Sequence, residues 1–152
     1  RKSALLKLEL SDINLEKRYI ETREKNGRNV YYISPGLRDF LRVYVQNRRK
    51  INAETNALFL NRNKKQYSVR GNFGHWLTKH LKRMGIKKNV TCHTLRRTIN
   101  TLRKKMGCSK EDRKILLNHA VEDVNYASYV KLNYAEFIEM YDKWYPYAEI
   151  SI

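Results

Sequence analysis

Cysteine is scarce in this chain. Two thiols in 152 residues, Cys92 and Cys108, cannot build a disulfide framework, and they read as reduced thiols of a cytoplasmic protein. Neither a CxxC nor an HExxH pattern occurs, and the four histidines (His75, His80, His93, His119) lack zinc spacing, so neither a metal nor a cofactor is expected. No apolar run approaches the length of a membrane span and no signal-peptide pattern is present, which argues against a membrane partner. With only two prolines, six glycines and no repeat or low-complexity tract, no linker divides the sequence, and residues 1–152 read as one domain.

Acid is the other scarcity. The chain has 15 Asp+Glu against 32 Lys+Arg, a net charge of +17. Residues 133–152 hold four of the acids (Glu136, Glu139, Asp142, Glu149) and one base, Lys143, so nearly all the positive charge sits in residues 1–132. A field of that sign calls for a polyanionic partner, and nucleic acid fits better than a membrane surface; charge does not choose DNA over RNA. Hydrophobic residues at 41% and aromatics at 11% suffice for a packed core and exclude overall disorder.

Local patterns give a mainly α chain with a small antiparallel sheet, an α+β class. The sequence opens in mid-helix, with Leu5, Leu6 and Leu8 on one apolar side, ending near Ser11-Asp12. Two β-prone runs, Arg18–Thr22 and Asn29–Ile33, flank a polar turn through Asn26-Gly27, a strong hairpin signal. Ser34-Pro35 starts a helix with Leu37, Phe40, Leu41, Val43 and Val45 as its apolar side. A short strand is expected over Ala57–Leu60, then a basic loop and a helix from Val69 to Met84, with Phe73 and Trp76 read as core and Gly85 as its stop. Thr94–Met106 is a basic helix closed by Gly107, Ser109 caps another, and Ala135–Trp144 is an amphipathic terminal helix.

His93 and Arg96 stand three apart at a helix start, so both project from one face of a turn whose free N–H groups favour an anion. Together they could hold a phosphate and move a proton. Such a pair is common in a chain this rich in arginine, and any one of 11 tyrosines is anonymous by itself. The combination carries more. His93-Thr94-Leu95-Arg96, then Leu116-Leu117-Asn118-His119, then Tyr129 follow in order, after an opening Arg1-Lys2-Ser3-Ala4-Leu5-Leu6-Lys7-Leu8 that runs on to Asp12-Ile13.

This series resembles the tyrosine recombinase (phage integrase) family over nearly the whole chain. The resemblance implies that family's C-terminal catalytic fold, truncated at its N-terminus: a fragment starting at the first catalytic arginine, without the N-terminal core-binding domain. It implies a site-specific recombinase that breaks and rejoins DNA through a 3′-phosphotyrosine without a metal ion. Arg1 and Arg96 would clamp the phosphate oxygens as bidentate donors, and Lys25 on the hairpin would protonate the leaving 5′-oxygen. His93 would exchange the tyrosine proton, His119 would bind the phosphate, and Tyr129 would be the nucleophile. Double-stranded DNA bearing a recombination site is the implied partner, with a homotetramer on DNA and a monomer alone. The tail 133–152 either caps its own domain or is exchanged between protomers.

Three departures from the family pattern stand out. Ala4 replaces an acid that supports the first arginine, Asn118 replaces a glycine, and the step from His119 to Tyr129 is one residue longer than usual. Tyr126 and Tyr134 therefore remain alternatives to Tyr129, as Arg23 and Arg28 do to Lys25. A catalytically inactive DNA-binding relative and a type IB topoisomerase are the competing functions; the latter typically carries Lys or Arg where this chain has His93.

Overall fold

Ser34 and Pro35 start the longest helix. In the computed structural model, which describes residues 2–24, 27–71, 73–117 and 134–148 (without the side chains of 23, 24, 27 and 28), Ser34 Oγ accepts from the Leu37 N–H at 3.2 Å. Helix α2 then runs Pro35–Lys50 and ends on Arg48, Arg49 and Lys50, cations suited to a helix C-terminus. Before it lie α1 (Lys2–Lys7), a 3₁₀ turn (Leu10–Asp12) and three strands, β1 (Ile13–Asn14), β2 (Tyr19–Glu24) and β3 (Gly27–Tyr32). The strands form an antiparallel sheet in the order β1-β2-β3, with Ile13 opposite Ile20 and Tyr19 opposite Tyr32. After α2 come α3 (Phe73–Arg83), α4 (Cys92–Lys105), α5 (Lys110–Leu116) and α6 (Tyr134–Lys143). Gly85 and Gly107, with φ of 81° and 87°, take the left-handed backbone that ends α3 and α4. No helix among the described residues is long and apolar enough to cross a membrane.

The core forms where α2 meets the chain around residue 8. Leu8, Val45 and Leu58 are buried together, packed by Leu10, Ile13, Ile20, Tyr44 and Phe59. Leu8 and Leu58 are held by the Leu58 N–H, which donates to the Leu8 carbonyl at 2.7 Å, beside a bridge between Glu9 and Ala57. Buried Arg48 crosses from α2 to this segment, donating to the carbonyls of Ala57 at 3.0 Å and Thr55 at 2.7 Å. A buried cation without a carboxylate is tolerable here because two backbone oxygens accept from it.

Several expectations change. The Ala57–Leu60 strand exists only as two isolated bridges, Glu9 to Ala57 and Leu60 to Gln66, because each neighbour is too short to extend a ladder. α1 stops at Lys7, so Leu8 enters the core from non-helical backbone while Leu5 turns outward. α3 begins at Phe73 rather than Val69, since Ser68 draws the chain into a turn: its carbonyl accepts from Gly71 and its hydroxyl from Arg70. Only Leu41 and Val45 of the expected apolar side of α2 are buried, while Phe40 and Val43 are 59% exposed. Trp76, read as core, is 51% exposed, with its ring 5.6 Å from that of Phe73 and 4.3 Å from that of His80.

Candidate functional site

The N-terminus of α4 is built from two threonines. Thr91, in extended backbone, accepts on Oγ1 from the Thr94 N–H at 3.2 Å, and the Thr91 N–H donates to Thr94 Oγ1 at 3.1 Å. This reciprocal capping box normally places Glu or Gln at its second position. With Thr94 there, the first turn carries no acid, so no carboxylate neutralises the positive end of the helix. His93 is exposed in that turn and Arg96 follows half-buried one turn later.

Arg96 also reaches the next helix: its Nη2 donates to the Leu117 carbonyl. Leu117 is the buried C-cap of α5, whose own N–H is taken by the Arg113 carbonyl, and a helix end needs an outside donor for its last carbonyls. Arg96 supplies one, across 21 residues of sequence. The bond orients the guanidinium and joins the H-x-x-R turn to the box whose last member is His119. The remaining N–H groups of the fork meet no partner among the described residues and stay available to an anion.

Arg1, Lys25, His119, Tyr126 and Tyr129 lie outside the described residues, so of the six expected site residues only His93 and Arg96 have a described geometry. For Lys25, the ladder ends at the Glu24 to Gly27 pair, and its alternatives Arg23 and Arg28 pair across the strands. Tyr134 is described. Its hydroxyl donates to the Lys17 carbonyl, its ring lies against those of Tyr19 and Tyr32, and burial pushes its pKa up. A committed, harder-to-ionise phenol suits structure better than nucleophilic attack. Ala4 is buried beside an open cavity of about 390 Å³ that Glu9, Asp12 and Thr22 also line. The Thr22 hydroxyl, buried there, has no partner.

Three long-range contacts were not foreseen, and they dock α6. Arg18 forms a two-pronged ion pair with Asp142, Nη2 to Oδ2 at 2.7 Å and Nη1 to Oδ1 at 3.1 Å. Arg103 of α4, 2% exposed, donates from Nε to the Trp144 carbonyl at 3.2 Å and lies over the Tyr141 ring. Tyr32 stacks on Phe137 at 5.6 Å. The only hint in the sequence was the acidic tail on a basic body, which names no pair. Elsewhere α3 presents a cationic face, His75, Lys79, Lys82 and Arg83 at spacings of four, three and one, around an open depression. Among the described residues, no three of His, Cys, Asp and Glu cluster to hold a metal.

A family model, described as the phage integrase family, matches residues 1–136. Among solved structures the chain is similar to one described as the crystal structure of XerA recombinase, at 22% identity and a TM-score of 0.69. The match covers 96% of this chain and 53% of that one, so this chain spans about half its length. Identity this low shows a shared fold, mainly helical with a small three-stranded antiparallel sheet. No curated protein sequence matches.

Proposed function

The chain belongs to the phage integrase family, and from that membership we propose that it cuts and rejoins double-stranded DNA at a specific site through a 3′-phosphotyrosine. The phenolic oxygen of Tyr129 attacks the scissile phosphorus, the bond to the 5′-oxygen breaks, and Lys25 gives that oxygen its proton. His93 takes the proton of the phenol. Arg1, Arg96 and His119 bind the non-bridging oxygens, on which charge grows in the transition state. The 5′-hydroxyl of a second strand then attacks the phosphotyrosine and releases Tyr129, so no external energy source is needed.

The observation that carries this reading is the Arg96 bond to the Leu117 carbonyl, beside His93 at a helix start without acid. It supports a phosphate site in which the H-x-x-R turn and the His119 box act together. Substrate DNA in a prokaryotic or phage setting, a homotetramer on that DNA and a cytoplasmic location belong to the same proposal. The contacts of α6 with its own chain support the tail as an in-chain cap rather than an exchanged segment.

The test is a nicked suicide substrate that traps the covalent adduct, assayed across a panel of candidate sites. Wild type should form a protein–DNA adduct that Tyr129→Phe abolishes and Tyr126→Phe does not. Adduct from Tyr129→Phe would move the nucleophile to another tyrosine. Binding without adduct throughout would leave an inactive DNA-binding relative.

A further inference from the structure

α6 touches both halves of the proposed site. At its start, Tyr134 is held to the Lys17 carbonyl and to the rings of Tyr19 and Tyr32, on the sheet that carries the hairpin. Near its end, Asp142 takes the two-pronged bond from Arg18, and Arg103 of α4 holds the Trp144 carbonyl. Arg18 is unusual: it is not glycine, yet its φ is 51°, a left-handed conformation that costs on the order of 1 kcal/mol or more in an ordinary residue. Its side chain is 11% exposed, against 45% for Asp142. A nearly buried guanidinium on strained backbone, aimed at one carboxylate 124 residues away, is a built contact.

The segment 118–133, which contains Tyr129, runs between two tethers, Leu117 held by Arg96 and Tyr134 held by Lys17. Tyr129 precedes Tyr134 by five residues, so its Cα stays within about 18 Å of that anchor whatever path the chain takes. Resting on the function proposed above, we infer that the Arg18–Asp142 pair is a latch: it holds α6 down and thereby positions the nucleophile segment over the phosphate site. Arg18 and Asp142 are positioning residues that touch neither DNA phosphate nor Tyr129. Opening the latch leaves DNA binding intact and slows the cleavage step.

The experiment measures single-turnover adduct formation at saturating suicide DNA, and DNA affinity separately. Asp142→Asn keeps the shape and removes the charge, and Arg18→Gly removes the guanidinium while relieving the backbone. Each should slow cleavage about tenfold, the scale expected when a reacting group loses its orientation, with affinity changed less than twofold. The double variant should be no slower than the worse single, and Asp142→Glu should recover part of the rate. Faster amide exchange across 134–143 in both single variants is the accompanying signature. Wild-type cleavage rates in both single variants, or rates that multiply in the double, would overturn the latch. Affinity falling in step with rate would make the pair part of the DNA surface and overturn it equally. Failure of wild type to form any adduct tells against the proposed function instead.

Discussion

Replacing Arg96 by Lys tests the centre of the site. Lysine preserves the positive charge, but a point cation on a flexible stem cannot donate to the Leu117 carbonyl and still offer a planar fork to a phosphate. Two losses follow from the structure. The Leu117 carbonyl sits at the buried end of α5 and would lose its cationic donor; a hydrogen bond to a charged group contributes about 1.5–3 kcal/mol. For a domain this long each kcal/mol corresponds to roughly 2–4 °C in Tm, so a fall of about 3–12 °C is expected. In the transition state one well-placed donor is worth roughly 10²–10³ in rate. Cleavage should therefore slow by about that factor, while DNA affinity, carried by many cations, should change little. Single-turnover adduct formation and a melting curve on the same preparation measure both. If Arg96→Lys cleaved within threefold of wild type, the guanidinium would not be the phosphate clamp, and the Leu117 bond would be structural only.

Thr91→Asp separates stability from function, because an Asp cap serves the α4 N-terminus as well as Thr or better but places a carboxylate beside the phosphate site; melting temperature should hold or rise while DNA cleavage falls. Ala4→Glu offers an acceptor to the unpartnered Thr22 hydroxyl across the adjoining cavity and restores the acid of the family pattern, so adduct formation should accelerate several-fold; an unchanged rate would show that Arg1 needs no such support. Burial pushes Tyr141 up to about 12. The folded state therefore holds that proton more tightly than an unfolded chain does, so its stabilisation is complete below pH of about 10 and is lost as pH rises towards 12. Alkaline titration followed by phenolate absorbance should show a late-ionising tyrosine that Tyr141→Phe removes. Leu58→Ala, at a side chain 1% exposed in the core, should cost about 3–5 kcal/mol by denaturant unfolding without altering the relative rates of the site variants.

The caps were legible because they are local. Ser34 with Pro35, Ser109 with Asp112, and Gly107 after α4 each satisfy backbone groups within four residues, so residue type alone announces them. The hairpin was legible for the same reason, as was the helical period of α4. The short β1 strand was not, since two residues carry no period and pair only because β2 lies alongside. Trp76 shows the limit of periodicity, which groups apolar residues on a side of a helix but does not say whether anything covers it. On α2, likewise, Val45 meets Leu8 and Leu58, while Phe40 and Val43 on the same helix remain exposed.

By itself, then, the sequence determined the element types, the helix ends, the basic character and the order of the boxes that mark the family, all properties of neighbouring residues or of order along the chain. Tertiary structure alone decided which partners the cations take. Among 32 Lys+Arg, nothing local assigns Arg96 to the Leu117 carbonyl, Arg103 to that of Trp144, or Arg18 to Asp142. Those choices span 21, 41 and 124 residues, and they are made when packing brings a donor and an acceptor together away from water.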